Sequence, residues 1–390
     1  MSQPPIPQPP NRAAIPVAPE PLPVIPYVNS GVAFLIFAYD VGYSIDLDEA
    51  ERLISAARPR EPLRRPRRAP QWLQFEAPPL RMAQPAAALN LGRFRTAETV
   101  EVVWHEFGCL SLTYRVPLSG SLSELIAFSN MLYENPDLLK DSRHRVEGLL
   151  RRTHRAVLKP SLHPFVEDYV IFEFSSLSGD LQPRELLRSA PRELAMLLRS
   201  EPAGLSDQEI ADALSARASY SNHDLTLIDW NAALIIDPQP DDVRTVLEYV
   251  NVELLELRYL DRQLDQALDE AYKTLALRRP FSVSPFNSHR GKLGRIARLQ
   301  ADSAALFEAV HNPLKLLGDQ FLARVYRIAS HRLHLTEWDN GILRKLQTLD
   351  SIYGKMNDQQ AAVRMELLEW IIIILIAVSI ALPFVTHGKG

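Results

Sequence analysis

The sequence has a single cysteine, Cys109, in 390 residues. No intramolecular disulfide can form, which suits a reducing compartment. Cys109 lies in an alternating apolar stretch, so it reads as a buried, inert thiol and not a nucleophile. Catalytic signatures are missing too: there is no GxGxxG, Walker loop, GxSxG, HExxH or CxxC spacing. The SHRGK segment, Ser288–Lys292, has too few glycines for a phosphate loop. No secretory signal is present, because the first thirty residues carry ten prolines and no apolar run. The net charge is only -4. That argues against a surface built throughout for polyanions and leaves room for local basic patches.

Proline, by contrast, is abundant at 30 residues, and it crowds the start of the chain. Residues 1–30 read as a Pro-rich disordered arm. Val32–Tyr39 (VAFLIFAY) is a short apolar run of β-formers, expected as a buried strand. Asp46 caps a helix through LDEAERLISAA. Six arginines and four prolines then fall in Arg58–Pro70, and like charges between prolines predict an exposed loop. Val100–Val116 reads as two strands turning at Gly108. Ser121 and Glu124 form a capping box before a helix, and Asp137–Leu158 has helical periodicity with one basic face. Val166–Phe174 is a strand, two short helical stretches follow near Arg184–Arg199 and Ser206–Arg217, and Leu225–Ile236 is a strand pair or one long strand. Residues 31–237 are therefore expected to form an α+β domain.

After Asp237-Pro238 the pattern changes. Val243, Leu247, Val250, Leu254, Leu257, Leu264, Leu268 and Leu275 step by four and three, a heptad pattern on one long helix. Asp261 interrupts this seam. It either selects register or partner from inside the interface, or the seam rotates onto Leu260 and leaves it outside. Two further heptad runs bring the region to residue 366. Residues 238–366 are expected to form an antiparallel helical hairpin or three-helix bundle, with an intermolecular coiled coil as the competing geometry. The interface residues are Leu254, Leu257, Asp261, Leu264 and Leu268.

Trp370–Val385 carries no charge over sixteen residues, about 24 Å of helix. It is expected as one transmembrane helix within residues 367–385. Trp370, Ile371, Ile372, Ile373, Ile374, Leu375, Ile376, Val378, Ile380, Leu382 and Phe384 would meet lipid. Only residues 386–390 follow, so the chain would be tail-anchored with its bulk on the cytoplasmic side.

Few constellations point to chemistry. His105 and Glu106 are strand neighbours and face opposite ways. His331 and His334 share a helix face without a third ligand. Asp224, Asp229 and Asp237 fit capping roles better than a catalytic pair. No cofactor or metal is expected. Arg58, Arg60, Arg64, Arg65, Arg67 and Arg68, with the basic helix face at Lys140–Arg155, are candidate contacts for RNA phosphates or lipid headgroups.

Four segments carry a resemblance: VRTVLEYVNVELLELRYLDRQLD (Val243–Asp265), RMELLEWIIIILIAVSI (Arg364–Ile380), VAFLIFAYDVGYSIDLDEAERLI (Val32–Ile54) and VEVVWHEFGCLSLTYRVPL (Val100–Leu118). Together they resemble the required-for-meiotic-nuclear-division family, a family built on a domain of unknown function. The resemblance implies an α+β domain, a helical hairpin, a C-terminal membrane helix and no enzyme activity. It also makes a ribosome or membrane-complex partner thinkable, since some eukaryotic relatives support mitochondrial translation. The N-terminus lacks a transit peptide, which favours a bacterial cytoplasmic membrane over a mitochondrial inner membrane. The expectation is a non-enzymatic, tail-anchored scaffold that recruits protein partners or a second copy through its helices. The alternatives are a membrane-tethered RNA- or ribosome-associated factor and an unrecognised enzyme in the α+β domain.

Overall fold

The computed structural model describes residues 26–56, 78–276 and 319–387, with isolated positions at 301, 304 and 307. The arm at 1–25 and all six arginines of the Arg58–Pro70 loop lie outside the described residues. So does the segment Pro280–Gly294.

The chain opens with β1 (Tyr27–Asp40), β2 (Ser44–Ile45) and α1 (Leu47–Ala56), followed by β3 (Leu80–Pro85), β4 (Asn90–Leu91), β5 (Phe94–Arg95), β6 (Thr99–Trp104) and β7 (Cys109–Ser121). Two helices, α2 (Leu122–Leu132) and α3 (Pro136–Thr153), lead to β8 (Val157–Leu158) and β9 (Glu167–Leu177). Next come α4 (Pro183–Ser189), α5 (Pro191–Arg199), α6 (Asp207–Ala213), β10 (Arg217–Ala218), β11 (Leu225–Ile228) and β12 (Ala232–Ile236). The described helices end with α7 (Asp241–Ala276), α8 (Gln320–Arg332) and α9 (Leu335–His387).

Eight strands form one sheet in the order β10-β11-β12-β9-β1-β7-β6-β3. All pairings are antiparallel except β12 against β9. The apolar run FLIFAY explains why β1 sits near the middle. A strand apolar at every position is stable only where both faces are covered. Leu35, Phe37 and Tyr39 enter one core under the α1–α6 side, while Phe34 and Ile36 enter a second core under α7. At the end of the hairpin Gly108 takes φ 98°, and a Cβ there would lie 1.9 Å from the Gly42 carbonyl oxygen. Only glycine allows that approach. The approach brings the end of β1 and the start of β7 together, with Asp40 opposite Cys109.

The helical region does not follow the sheet as a separate coil. Every residue from Val246 to Leu257 on α7 is buried, because one side of the helix lies on the sheet and the other is covered by α8 and α9. A helix that is apolar on two opposite faces needs cover on both. His334, at φ 56°, breaks the chain between α8 and α9. Met356 is the last buried residue described on α9.

Two expectations are corrected. The fold is a mixed α and β assembly on one eight-stranded sheet with helices on both faces, not an α+β domain followed by a coil and a membrane helix. Among the described residues, no helix is long and apolar enough to cross a membrane. On α9, Met365, Leu368 and the run Trp370, Ile371, Ile372, Ile373, Ile374, Leu375 and Ile376 are exposed. The expected side chains at Val378, Ile380, Leu382 and Phe384 lie outside those described. The tail anchor and the membrane placement, bacterial or mitochondrial, fall with the span.

Candidate functional site

A group of buried titratable side chains lies where α7 crosses β1 and β7. Asp40 ends β1 and is 2% exposed; Cys109 opens β7 at 0%; Glu256 comes down from α7 at 1%. Ala38, Phe107, Tyr249, Val252 and Leu255 pack around Cys109, with Phe165 at the edge. Neither carboxyl oxygen of Glu256 has a hydrogen-bond partner, and Oδ1 of Asn251 has none either. The Asn251 amide reaches the Glu167 carbonyl at 3.5 Å.

The other buried acids of α7 are satisfied. Glu248 accepts from Arg81 at 2.9 Å and lies 3.8 Å from Arg244. Glu253 accepts from the Tyr326 hydroxyl of α8 at 3.1 Å. Glu256 has no such cation or donor among the described residues. A buried charge without a partner is too costly to persist, so the group holds its proton instead. Burial pushes the Asp40 carboxyl up to about 8. Burial, and then the nearness of Asp40, hold Glu256 well above the usual carboxylate range. Both acids therefore keep their protons above the pH at which a free carboxyl group loses its own. Burial first, and then Glu256 and Asp40, push the Cys109 thiol up as well, which removes its nucleophilic form.

Neighbouring groups complete the surroundings. His105, buried beside Phe107 and Tyr249, is lowered to about 3 by burial and by Arg81, so it is a neutral ring at working pH. On the other side, the His163 ring meets Phe165 at 4.2 Å and Tyr259 at 4.9 Å. Arg262 lies over Phe165. The backbone of His163 donates to the Asp40 carbonyl at 3.1 Å. Arg258 pairs with Glu167, which burial still raises to about 7. Among the described residues, no cluster of His, Cys, Asp and Glu has the geometry to hold a metal ion.

The seam residues sit on the opposite side of α7. Leu254, Leu257 and Leu264 are buried, and Leu268 packs beside them, in the core shared with α8 and α9. Leu260 takes the buried position at 1% exposure. Asp261 lies at the edge, 2.6 Å from Lys345 of α9, which also holds Asp265 at 2.6 Å. The seam is thus occupied within the chain. His105 is buried while Glu106 is exposed; His331 and His334 are exposed. On the basic face of α3, Arg143 donates to the His163 and Pro164 carbonyls, and Arg145 pairs with Asp141.

The sequence reading missed Asp40, Asn251 and Glu256. A signal was present in Tyr249, Val252 and Leu255, apolar residues on the side of α7 away from the seam. They mark a second buried face, and any acid beside them is a buried acid.

Comparison with known proteins places most of this framework. The uncharacterized protein MJ0711 of Methanocaldococcus jannaschii is 25% identical over 253 residues, 64% of this chain and 76% of that protein. No solved structure matches. The resemblance to the required-for-meiotic-nuclear-division family is corrected. Of the segments that suggested it, Val32–Ile54 and Val100–Leu118 lie inside a span that a different family model matches, residues 30–242. That span covers more than half of the chain, so the protein belongs to the family described as uncharacterized protein MJ0711, N-terminal domain.

Proposed function

We propose that the chain is a non-enzymatic adaptor whose helical layer is seated on the sheet through a proton-holding contact. The observation that carries this reading is Glu256, buried under α7 with both oxygens unpartnered and Asp40 beside it. While the pair holds its protons, α7 lies on β1 and β7 without a net charge in the contact. Loss of a proton places an uncompensated charge there and favours lifting of the helix. Because Cys109 and His105 are both under 10% exposed beneath the same helix, a binding role fits better than catalysis on an outside substrate. The exposed apolar row Trp370–Ile376 supports contact with a protein partner or a second copy, since such patches mark interaction surfaces.

Cys109 is the only cysteine and lies within the contact, so it reports whether α7 is seated. Alkylation of Cys109 in the full chain, followed from pH 5 to pH 9 and normalised to the urea-unfolded chain, should accelerate above about pH 8. Glu256→Gln should abolish that acceleration. Protection that stays constant across the range, or faster labelling of Glu256→Gln, would refute the proton-held contact.

A further inference from the structure

A second feature lies far from the acid pair and owes nothing to it. Between α4, β10, β11 and α8 is an open cleft of about 680 Å³, lined by Arg184, Arg188, Arg217 and Arg324 together with Ser219, Asp224 and Leu225. Arg184 and Arg188 sit four apart on α4, so they share one face of that helix. Arg217 belongs to β10 and Arg324 to α8. Arginines from three separate elements thus converge on one opening.

Their partners show what the cleft has spare. Among the described residues, the side chains of Arg184, Arg188 and Arg217 make no ion pair and no hydrogen bond. Arg324 donates to the Ser219 carbonyl at 2.9 Å and lies over the Phe321 ring. The single lining carboxylate, Asp224, is turned into its own loop. It accepts from the backbone of Tyr220 at 2.7 Å, from the backbone of Ser221 at 2.5 Å and from the Ser221 hydroxyl at 2.6 Å. Its charge is spent holding the loop 219–224, and the cleft keeps a strong positive excess.

The same loop presents an aromatic ring. Tyr220 is 81% exposed, an unusual position for a large ring in a folded surface. The Tyr220 and Phe321 rings make a T-shaped contact with centroids 5.7 Å apart, which steadies the tyrosine while most of its surface stays open to solvent. A steadied, open aromatic face next to unpaired arginines is the pairing of parts that holds unstacked bases and their phosphates. A cleft for a small inorganic anion needs no such ring, and duplex nucleic acid offers no free base face to it.

We infer that this cleft binds single-stranded nucleic acid, with a base stacked on Tyr220 and the backbone phosphates on Arg184, Arg188, Arg217 and Arg324. These arginines are different residues from those of Arg58–Arg68, so the two basic sets are separable by mutation.

The test is fluorescence anisotropy of the full chain with a labelled twelve-nucleotide single-stranded RNA, its DNA counterpart, an RNA duplex of the same length and inorganic polyphosphate. Single strands should bind more tightly than the duplex and the polyphosphate, and the RNA and DNA arms decide which sugar is preferred. Arg184→Ser/Arg188→Ser/Arg217→Ser should weaken binding at least tenfold and lower the log–log salt slope by about 2, the share of three phosphate contacts on a single strand. Tyr220→Ala should weaken binding by about fivefold or more while leaving that slope unchanged. Thermal melting checks that these exposed substitutions leave the fold intact. Absence of single-strand binding overturns the inference. So does polyphosphate binding as tight as RNA with no effect of Tyr220→Ala, which would make the cleft a general anion patch. Unchanged binding by the triple variant would place the nucleic acid elsewhere and equally refute it.

Discussion

Two buried carboxylate sites fasten the helical layer to the sheet, and they do so by opposite means. Asp229, at the turn between β11 and β12, is 0% exposed and sits between Arg199 of α5 at 2.9 Å and Arg332 of α8 at 2.5 Å. Asp212 of α6 joins both arginines from the outside. Glu256 and Asp40 are as deeply buried and, among the described residues, have no cation. One place is held by matched charge; the other is held by having none. A carboxylate in a protein interior needs either a counter-ion or a proton, and this chain uses both solutions beneath the same layer.

The difference gives the two places opposite responses to pH. The arginines hold Asp212 at about 2 through their hydrogen bonds and charge. A depressed carboxyl stabilises the fold above its unfolded value and loses that contribution as pH falls toward 2. Asp40 and Glu256 run the other way. Below the unfolded carboxylate value both folded and unfolded chains hold the proton, and stability is complete. As pH rises toward about 8 the unfolded chain has lost the proton and the folded chain has not, so folding takes up a proton and stability declines.

The largest effect that would break the comparison is at the ion-paired place. Asp229→Ala leaves Arg199 and Arg332 largely buried without their central anion, and should lower unfolding stability by about 3–5 kcal/mol, read by urea denaturation of the full chain. A loss under about 1 kcal/mol would mean that Asp212 alone suffices. The apolar seam comes next. Leu257→Ala should cost roughly 2–5 kcal/mol through the cavity it opens between α7 and α9, by the same measurement. Third is the proton-held place: wild-type stability should fall with pH between about 4 and 8, by up to about 1.4 kcal/mol per pH unit for each proton taken up. Asp40→Asn and Glu256→Gln should each flatten that slope and leave the variant more stable than wild type at pH 9. A wild-type slope of zero would remove the contrast. The smallest effect is at the seam edge, where Asp261 and Lys345 are partly exposed. Lys345→Ala should cost within about 1 kcal/mol, distinguishing a rim ion pair from the buried one at Asp229.

How much of this was legible depended on whether a residue's neighbours are near in sequence. The capping box of Ser121 and Glu124 closes within one turn, and both of its hydrogen bonds form. Asp46 caps α1 through the Glu49 backbone. The run VAFLIFAY reads as a strand and lies within β1. The seam through Leu254, Leu257 and Leu264 follows from a repeat of four and three. By contrast, nothing local says that α7 lies on a sheet. That sheet depends on pairing β1 with β9, more than a hundred residues away, and on β12 running parallel to it. Pro191 divides what reads as one helix near Arg184–Arg199 into α4 and α5, which fixes the arginine face of the cleft. Tyr220 meets Phe321, and Ser219 beside it meets Arg324, across a hundred residues of chain, so the aromatic and basic parts of the cleft are separated in sequence and meet only in space.

The break at His334 carries a mechanical consequence. α9 runs unbroken from there to His387, and its axis advances roughly 45 Å between Met356 and His387. A tilt of about 5° where α9 meets α7 would carry the end at His387 through about 4 Å. Slight changes in how α7 is seated are thereby magnified at a distance, with no rearrangement of the sheet.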